Sequence, residues 1–69
     1  MKQSELNFKE NSKLCVWCEW NGIEFYWEAR SEVILITPAS YSNIYIPADA
    51  PAKSARLLIL RFIKEAFGV

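Results

Sequence analysis

The stretch Lys13–Arg30, KLCVWCEWNGIEFYWEAR, decides the fold of this chain. At its centre is the dipeptide Asn21-Gly22, a strong sequence signal for a β-hairpin, because a type I′ turn requires a positive φ at both of its central residues. A two-residue turn also fixes how the flanking strands pair. The sequence therefore predicts an antiparallel hairpin in which Trp20 lies opposite Ile23 and every further pair follows in step.

This register sorts the hairpin side chains into two faces, since successive residues of a strand point to opposite sides. One face is apolar and should form the core: Leu14, Val16, Cys18, Trp20, Ile23, Phe25, Trp27 and Ala29. The other face is mixed: Lys13, Cys15, Trp17, Glu19, Glu24, Tyr26, Glu28 and Arg30. On this second face Trp17 should oppose Tyr26 among glutamates, which is unusual for a sheet surface that meets only water.

Shorter patterns on both sides of the hairpin predict the remaining strands. Glu5–Lys9 alternates between polar and apolar residues and predicts a short first strand, with a turn at Glu10–Ser12. Val33–Thr37 is apolar on both sides, which predicts a central or doubly covered strand. Ile44–Ile46 predicts a short edge strand that Pro47 ends.

The last third of the chain predicts one α-helix, from about Pro51 to about Phe67. Proline suits the first helical turn, so Asp49 or Ala50 should be the N-cap. Gly68 is a natural residue to end the helix, because glycine adopts the left-handed conformation without strain. At 3.6 residues per turn one side of this helix is apolar and should pack on the hairpin: Ala52, Ala55, Leu58, Ile59, Phe62, Ile63 and Ala66.

These elements predict a single small α+β domain over residues 1–69. It should be an antiparallel β-meander of three to five strands, built around the central Asn-Gly hairpin, with one C-terminal α-helix packed on one face. The composition is that of a folded domain, with 52% hydrophobic and 14% aromatic residues. This is more apolar surface than one small core hides easily, so we expect self-association as a homodimer.

The sequence offers no catalytic, cofactor-binding or metal-binding site. It has no histidine, the commonest general base, and no phosphate-binding loop, nucleophile elbow or calcium loop. Cys15 and Cys18 match the pattern C-x-x-C, but residues three apart in a strand face opposite sides. One cysteine pair cannot complete a four-ligand zinc site, although a dimer could in principle supply two pairs. We therefore expect a non-enzymatic protein with structural, reduced cysteines.

The charges are balanced overall but unevenly distributed. Residues 1–47 hold four basic and six acidic side chains, a net charge of −2, whereas residues 48–69 hold four basic and two acidic side chains, a net charge of +2. Most DNA-binding domains have a stronger basic surface than this, and glutamates around Trp17 and Tyr26 would repel phosphate groups. We therefore expect a protein partner, such as a basic nucleic-acid-binding protein, rather than nucleic acid.

Two surfaces are candidates for binding that partner. The residues concerned are Trp17, Glu19, Glu24, Tyr26 and Glu28 on the hairpin, and Leu57, Leu60 and Arg61 on the helix. A simpler reading of the hairpin residues is an aromatic cross-strand pair that stabilises the hairpin, with acidic side chains that aid solubility.

The function we expect is that of a small protein-interaction module, a stoichiometric regulator or inhibitor of the kind that phages and mobile elements encode. The alternative is a dimeric nucleic-acid-binding regulator that uses Lys53, Arg61 and Lys64 on the helix. The chain contains no apolar run long enough to cross a membrane and no apolar secretion signal, which predicts a cytoplasmic protein without membrane contact.

Overall fold

A computed structural model describes all of residues 1–69 and shows one antiparallel sheet with one long helix. The strands are β1 (Asn7–Asn11), β2 (Cys15–Trp20), β3 (Ile23–Glu28), β4 (Val33–Thr37) and β5 (Ile44–Tyr45). They lie side by side in chain order, as a five-stranded meander. Helix α1 (Ala52–Phe67) follows and packs on one face of the sheet. The predicted α+β fold is confirmed.

The central hairpin pairs as its turn predicts. Asn21 and Gly22 both have positive φ, at 50° and 81°, as a type I′ turn requires. From Trp20 opposite Ile23, six residue pairs continue outward without a break in register. Glu19 supports the turn, because its carboxylate accepts a hydrogen bond from the Gly22 N–H at 3.0 Å.

The core lies between the helix and the inner face of the sheet. Its largest fully buried side chains come from β2, β3, β4 and α1: Val16, Cys18, Phe25, Trp27, Ile34, Ile59 and Ile63. All of them occupy inward positions of a strand or of the helix. Burial of these groups is the main favourable contribution to the stability of the domain.

An aromatic cluster covers one end of this core. Trp20, beside the hairpin turn, packs on Phe67 with 5.1 Å between ring centroids. Tyr41, from the loop between β4 and β5, lies 6.0 Å from Phe62 and 6.1 Å from Phe67. Phe62 and Leu58 are half-buried rather than fully buried, because they lie at the border of the helix face that meets the sheet.

The first strand lies further along the chain than predicted. The sequence indicated a strand at Glu5–Lys9 and a turn at Glu10–Ser12, whereas β1 ends at Asn11. A shift in register between Phe8 and Glu10 explains the difference. One extra residue at this bulge lets the strand continue past its alternating segment.

Two side chains predicted for the core are exposed. Leu14 is 71% exposed because β2 begins only at Cys15, which leaves the leucine beyond the end of the strand. Ala66 is exposed in the last turn of the helix, where Phe67 makes the contact with Trp20 instead.

The helix ends as predicted but begins later. Gly68 closes it in the left-handed conformation, with φ at 68°. The N-cap is Pro51, in an extended conformation and without a side-chain cap, so the expected caps Asp49 and Ala50 are wrong by one or two residues. Proline has no N–H to satisfy at this position, and its carbonyl accepts a hydrogen bond from the Ser54 N–H at 2.9 Å. The helix is neither long enough nor apolar enough to cross a membrane.

Candidate functional site

The side of the sheet opposite the helix is open, and we call it the outer face. It consists of the outward-pointing residues of the five strands: Asn7, Lys9, Glu10, Cys15, Trp17, Glu19, Glu24, Tyr26, Glu28, Val33, Leu35, Thr37 and Tyr45. Of the two alternatives predicted for β4, a central strand is confirmed, since it lies between β3 and β5, whereas cover on both faces is wrong, since Leu35 is 48% exposed. The single helix covers only the inner face, so every outward side chain of β4 borders solvent.

Three side chains form a row across the middle of the outer face. Trp17 lies opposite Tyr26, and Tyr26 lies opposite Leu35. The two aromatic rings meet edge to face, with 6.0 Å between their centroids. On the next strand Tyr45 lies opposite Val33 and is 84% exposed, so it extends the apolar surface to the edge of the sheet.

Lys9 reaches from β1 onto this row. Its Nζ lies 5.0 Å from the centroid of the Trp17 ring and 2.9 Å from Oε2 of Glu24. The bond from Lys9 holds the pKa of the Glu24 carboxyl below its usual range. The Trp17 ring and Glu24 together therefore form a site for a cation, which Lys9 occupies from within the chain.

The remaining acidic side chains surround the row. Glu19 and Glu24 lie opposite each other, as predicted. Glu28 accepts a hydrogen bond from the Tyr26 hydroxyl, and this bond raises the pKa of Tyr26. With Glu10, which lies opposite Trp17, the outer face carries four glutamates against one lysine. It therefore has an apolar centre and a negatively charged border.

The two cysteines lie on opposite sides of β2, as their spacing predicts. Cys18 is buried in the core, and burial, with Glu19 as a smaller cause, raises its pKa to about 12. Cys15 is half-buried on the outer face, where burial and the nearby Glu10 raise its pKa. No group of three or more histidine, cysteine, aspartate or glutamate side chains is arranged to hold a metal ion.

The predicted helix surface lies on the opposite side of the molecule from the hairpin residues. Leu57 is 56% exposed and Leu60 is half-buried. The Nε of Arg61 donates a hydrogen bond to the Glu65 carboxylate at 3.0 Å, in an exposed ion pair between residues one helical turn apart. The structure therefore gathers the five hairpin residues on one surface and keeps the three helix residues apart from them.

Sequence reasoning missed four contributors to the outer face: Lys9, Glu10, Leu35 and Tyr45. Strand alternation alone places Lys9, Leu35 and Tyr45 outward, whereas the bulge of β1 turns Glu10 outward as well, opposite Trp17. A shallow depression on this face is lined by Tyr26, Glu28, Ser31, Val33 and Leu35. Comparison with protein families, characterised proteins and solved structures finds no match for the chain.

Proposed function

We propose that this chain is a small non-enzymatic interaction module that binds a basic protein surface through the outer face of its sheet. The observation that carries the proposal is the row of half-buried Trp17 and Tyr26 and exposed Leu35 within a border of glutamates. Protein interfaces commonly have aromatic side chains at their centre and a polar rim. Aromatic residues at such centres contribute a large share of the binding energy.

The position of Lys9 supports a partner of positive charge. One cation already lies between the Trp17 ring and the Glu24 carboxylate. A lysine or arginine of the partner could make the same two interactions in place of Lys9. The glutamates around the row would also speed the encounter with a positive surface.

A module of this kind acts by binding to a site on its partner and blocking it. It would regulate or inhibit its partner in a one-to-one complex by covering the partner's basic site. Where that site normally binds nucleic acid, the glutamates of the outer face would take the place of the phosphates.

A second candidate function is a dimeric nucleic-acid-binding regulator that uses the basic side of the helix, including Lys53 and Lys64. One observation favours it, since Lys13, Lys53 and Arg56 line a single surface cavity that has no acidic side chain. Arg61, by contrast, is paired with Glu65. Retention on heparin with a steep dependence on salt would favour this function, whereas flow-through at low salt favours protein binding.

Substitution of Leu35 by lysine tests the proposed function. It places a positive charge in the centre of the outer face, so the variant should lose the basic protein that wild type co-purifies from a lysate of the native host. Leu14→Lys makes the same change at an exposed leucine outside this face and should retain that protein. Equal recovery of the protein with both variants would contradict the proposal.

A further inference from the structure

The two broad sides of the molecule carry opposite charge around an apolar centre. On one side is the outer face, with four glutamates and one lysine around the row of Trp17, Tyr26 and Leu35. On the other side is a surface of helix α1 that we call the helix stripe: Lys53, Leu57, Leu60, Arg61 and Lys64. Within the helix the one acidic residue is Glu65, which pairs with Arg61.

The spacing of the stripe gives it a continuous surface. Lys53, Leu57, Leu60 and Lys64 follow one another at intervals of three or four residues, so they lie on one side of the helix. Leu57 is at the centre of that side and more than half exposed. A lysine therefore flanks the two leucines at each end of the stripe. The outer face has the opposite charge, with glutamates around its aromatic row.

We infer that the outer face of one copy receives the helix stripe of a second copy, so that the chains associate head to tail. Leu57 and Leu60 would cover the aromatic row, and the cations of the stripe would meet the glutamates. The sheet would then have a helix on each side: its own on the inner face and a second copy's on the outer face. This inference rests on the proposed function, because it assigns an occupant to the same face.

The signs of the charges favour this mixed contact over contact between two identical surfaces. Contact between two outer faces would bring glutamates against glutamates, and contact between two helix stripes would bring cations against cations. Only the mixed contact places opposite charges together.

Head-to-tail contact also predicts how assembly proceeds. The outer face and the helix stripe lie on opposite sides of the molecule, so a pair of chains always leaves one of each unoccupied. Such contacts continue into longer chains unless they close into a ring. Such an open assembly differs from the homodimer that we expect from the composition. A basic partner, bound to the same outer face, would compete with this assembly.

Mixing two blocked variants in sedimentation experiments tests the inference. Leu35→Lys blocks the outer face and leaves the stripe, whereas Leu57→Glu blocks the stripe and leaves the outer face. Each variant alone should remain at the monomer mass of 8.0 kDa, and an equimolar mixture should form a one-to-one dimer and nothing larger. Wild type and the control Leu14→Lys should grow beyond the dimer with concentration and fall back as salt is raised. If Leu35→Lys does not fold by circular dichroism, Tyr45→Lys replaces it.

Three results would overturn the inference: wild type monomeric at hundreds of micromolar, Leu57→Glu assembling as wild type does, or the mixture remaining monomeric. Capture of the basic host protein by Leu57→Glu tests the proposed function separately from self-association, because that variant keeps the outer face. If it captures the basic host protein while wild type is monomeric, only the self-association falls. If the mixture forms the dimer and Leu57→Glu captures no such protein, the self-association stands and the proposed function falls.

Discussion

Replacement of Ile59 by alanine should lower the free energy of unfolding by about 2–5 kcal/mol. Ile59 is fully buried where the helix meets the sheet, so the substitution leaves a cavity that the surrounding core cannot fill completely. Alanine is a good helix former, and the loss would not come from the helix itself. A domain of this length has roughly 3–10 kcal/mol of stability in total, so the variant should lose a large part of its stability and unfold at a clearly lower urea concentration.

Urea unfolding followed by circular dichroism measures this effect. The matched control is Leu57→Ala, in the same helix but more than half exposed, which should change stability by no more than about 0.5 kcal/mol. Phe62→Ala should fall between the two, because Phe62 is half-buried and packs on Phe25 and Tyr41. Similar unfolding midpoints for Ile59→Ala and Leu57→Ala would mean that the helix does not dock on the sheet as described.

The double substitution Trp17→Ser with Tyr26→Ser should weaken binding of the basic partner by about 100-fold or more. Aromatic side chains at the centre of an interface often contribute at least ~2 kcal/mol each, and every 1.4 kcal/mol corresponds to a factor of ten. The cross-strand contact between the two rings contributes only ~0.2–1 kcal/mol to folding. Because neither ring belongs to the core on the other side of the sheet, the double variant should remain folded.

Titration calorimetry with the partner isolated by wild type gives this affinity. Leu14→Ser is the control, since it also replaces an exposed apolar side chain by serine but lies outside the outer face. It should bind as wild type does. A folded double variant with unchanged affinity would remove the outer face from the function and leave the aromatic pair with a purely structural role.

The hairpin and the helix could be predicted almost to the residue because short-range rules fix them. The Asn21-Gly22 turn allows one register, and strand alternation then assigns each side chain to a face. Gly68 marks the helix end in the same local way. The bulge in β1 and the packing of Tyr41 and Phe67 depend on contacts between distant parts of the chain, which no local pattern contains.

The candidate site was predictable to a similar extent. Trp17, Tyr26 and Glu24 follow from the hairpin register alone. Leu35 is open to solvent because the chain has a single helix and this helix covers the inner face. The apolar sequence of β4 does not reveal which of its faces is covered. Lys9 was missed because its contact with the Trp17 ring depends on how β1 pairs with β2, which the sequence pattern does not fix. The cation site that supports a basic partner was missed with it.

Carbodiimide cross-linking of the complex tests most directly whether the outer face binds a basic protein. The reagent joins a carboxylate to an amine in direct contact, so it reports both the surface used and the sign of its charge. We expect peptide mapping to find links from Glu19, Glu24 or Glu28 of this chain to lysines of the partner. Links that instead join Lys53 or Lys64 to carboxylates of the partner would place the interface on the helix and contradict the account.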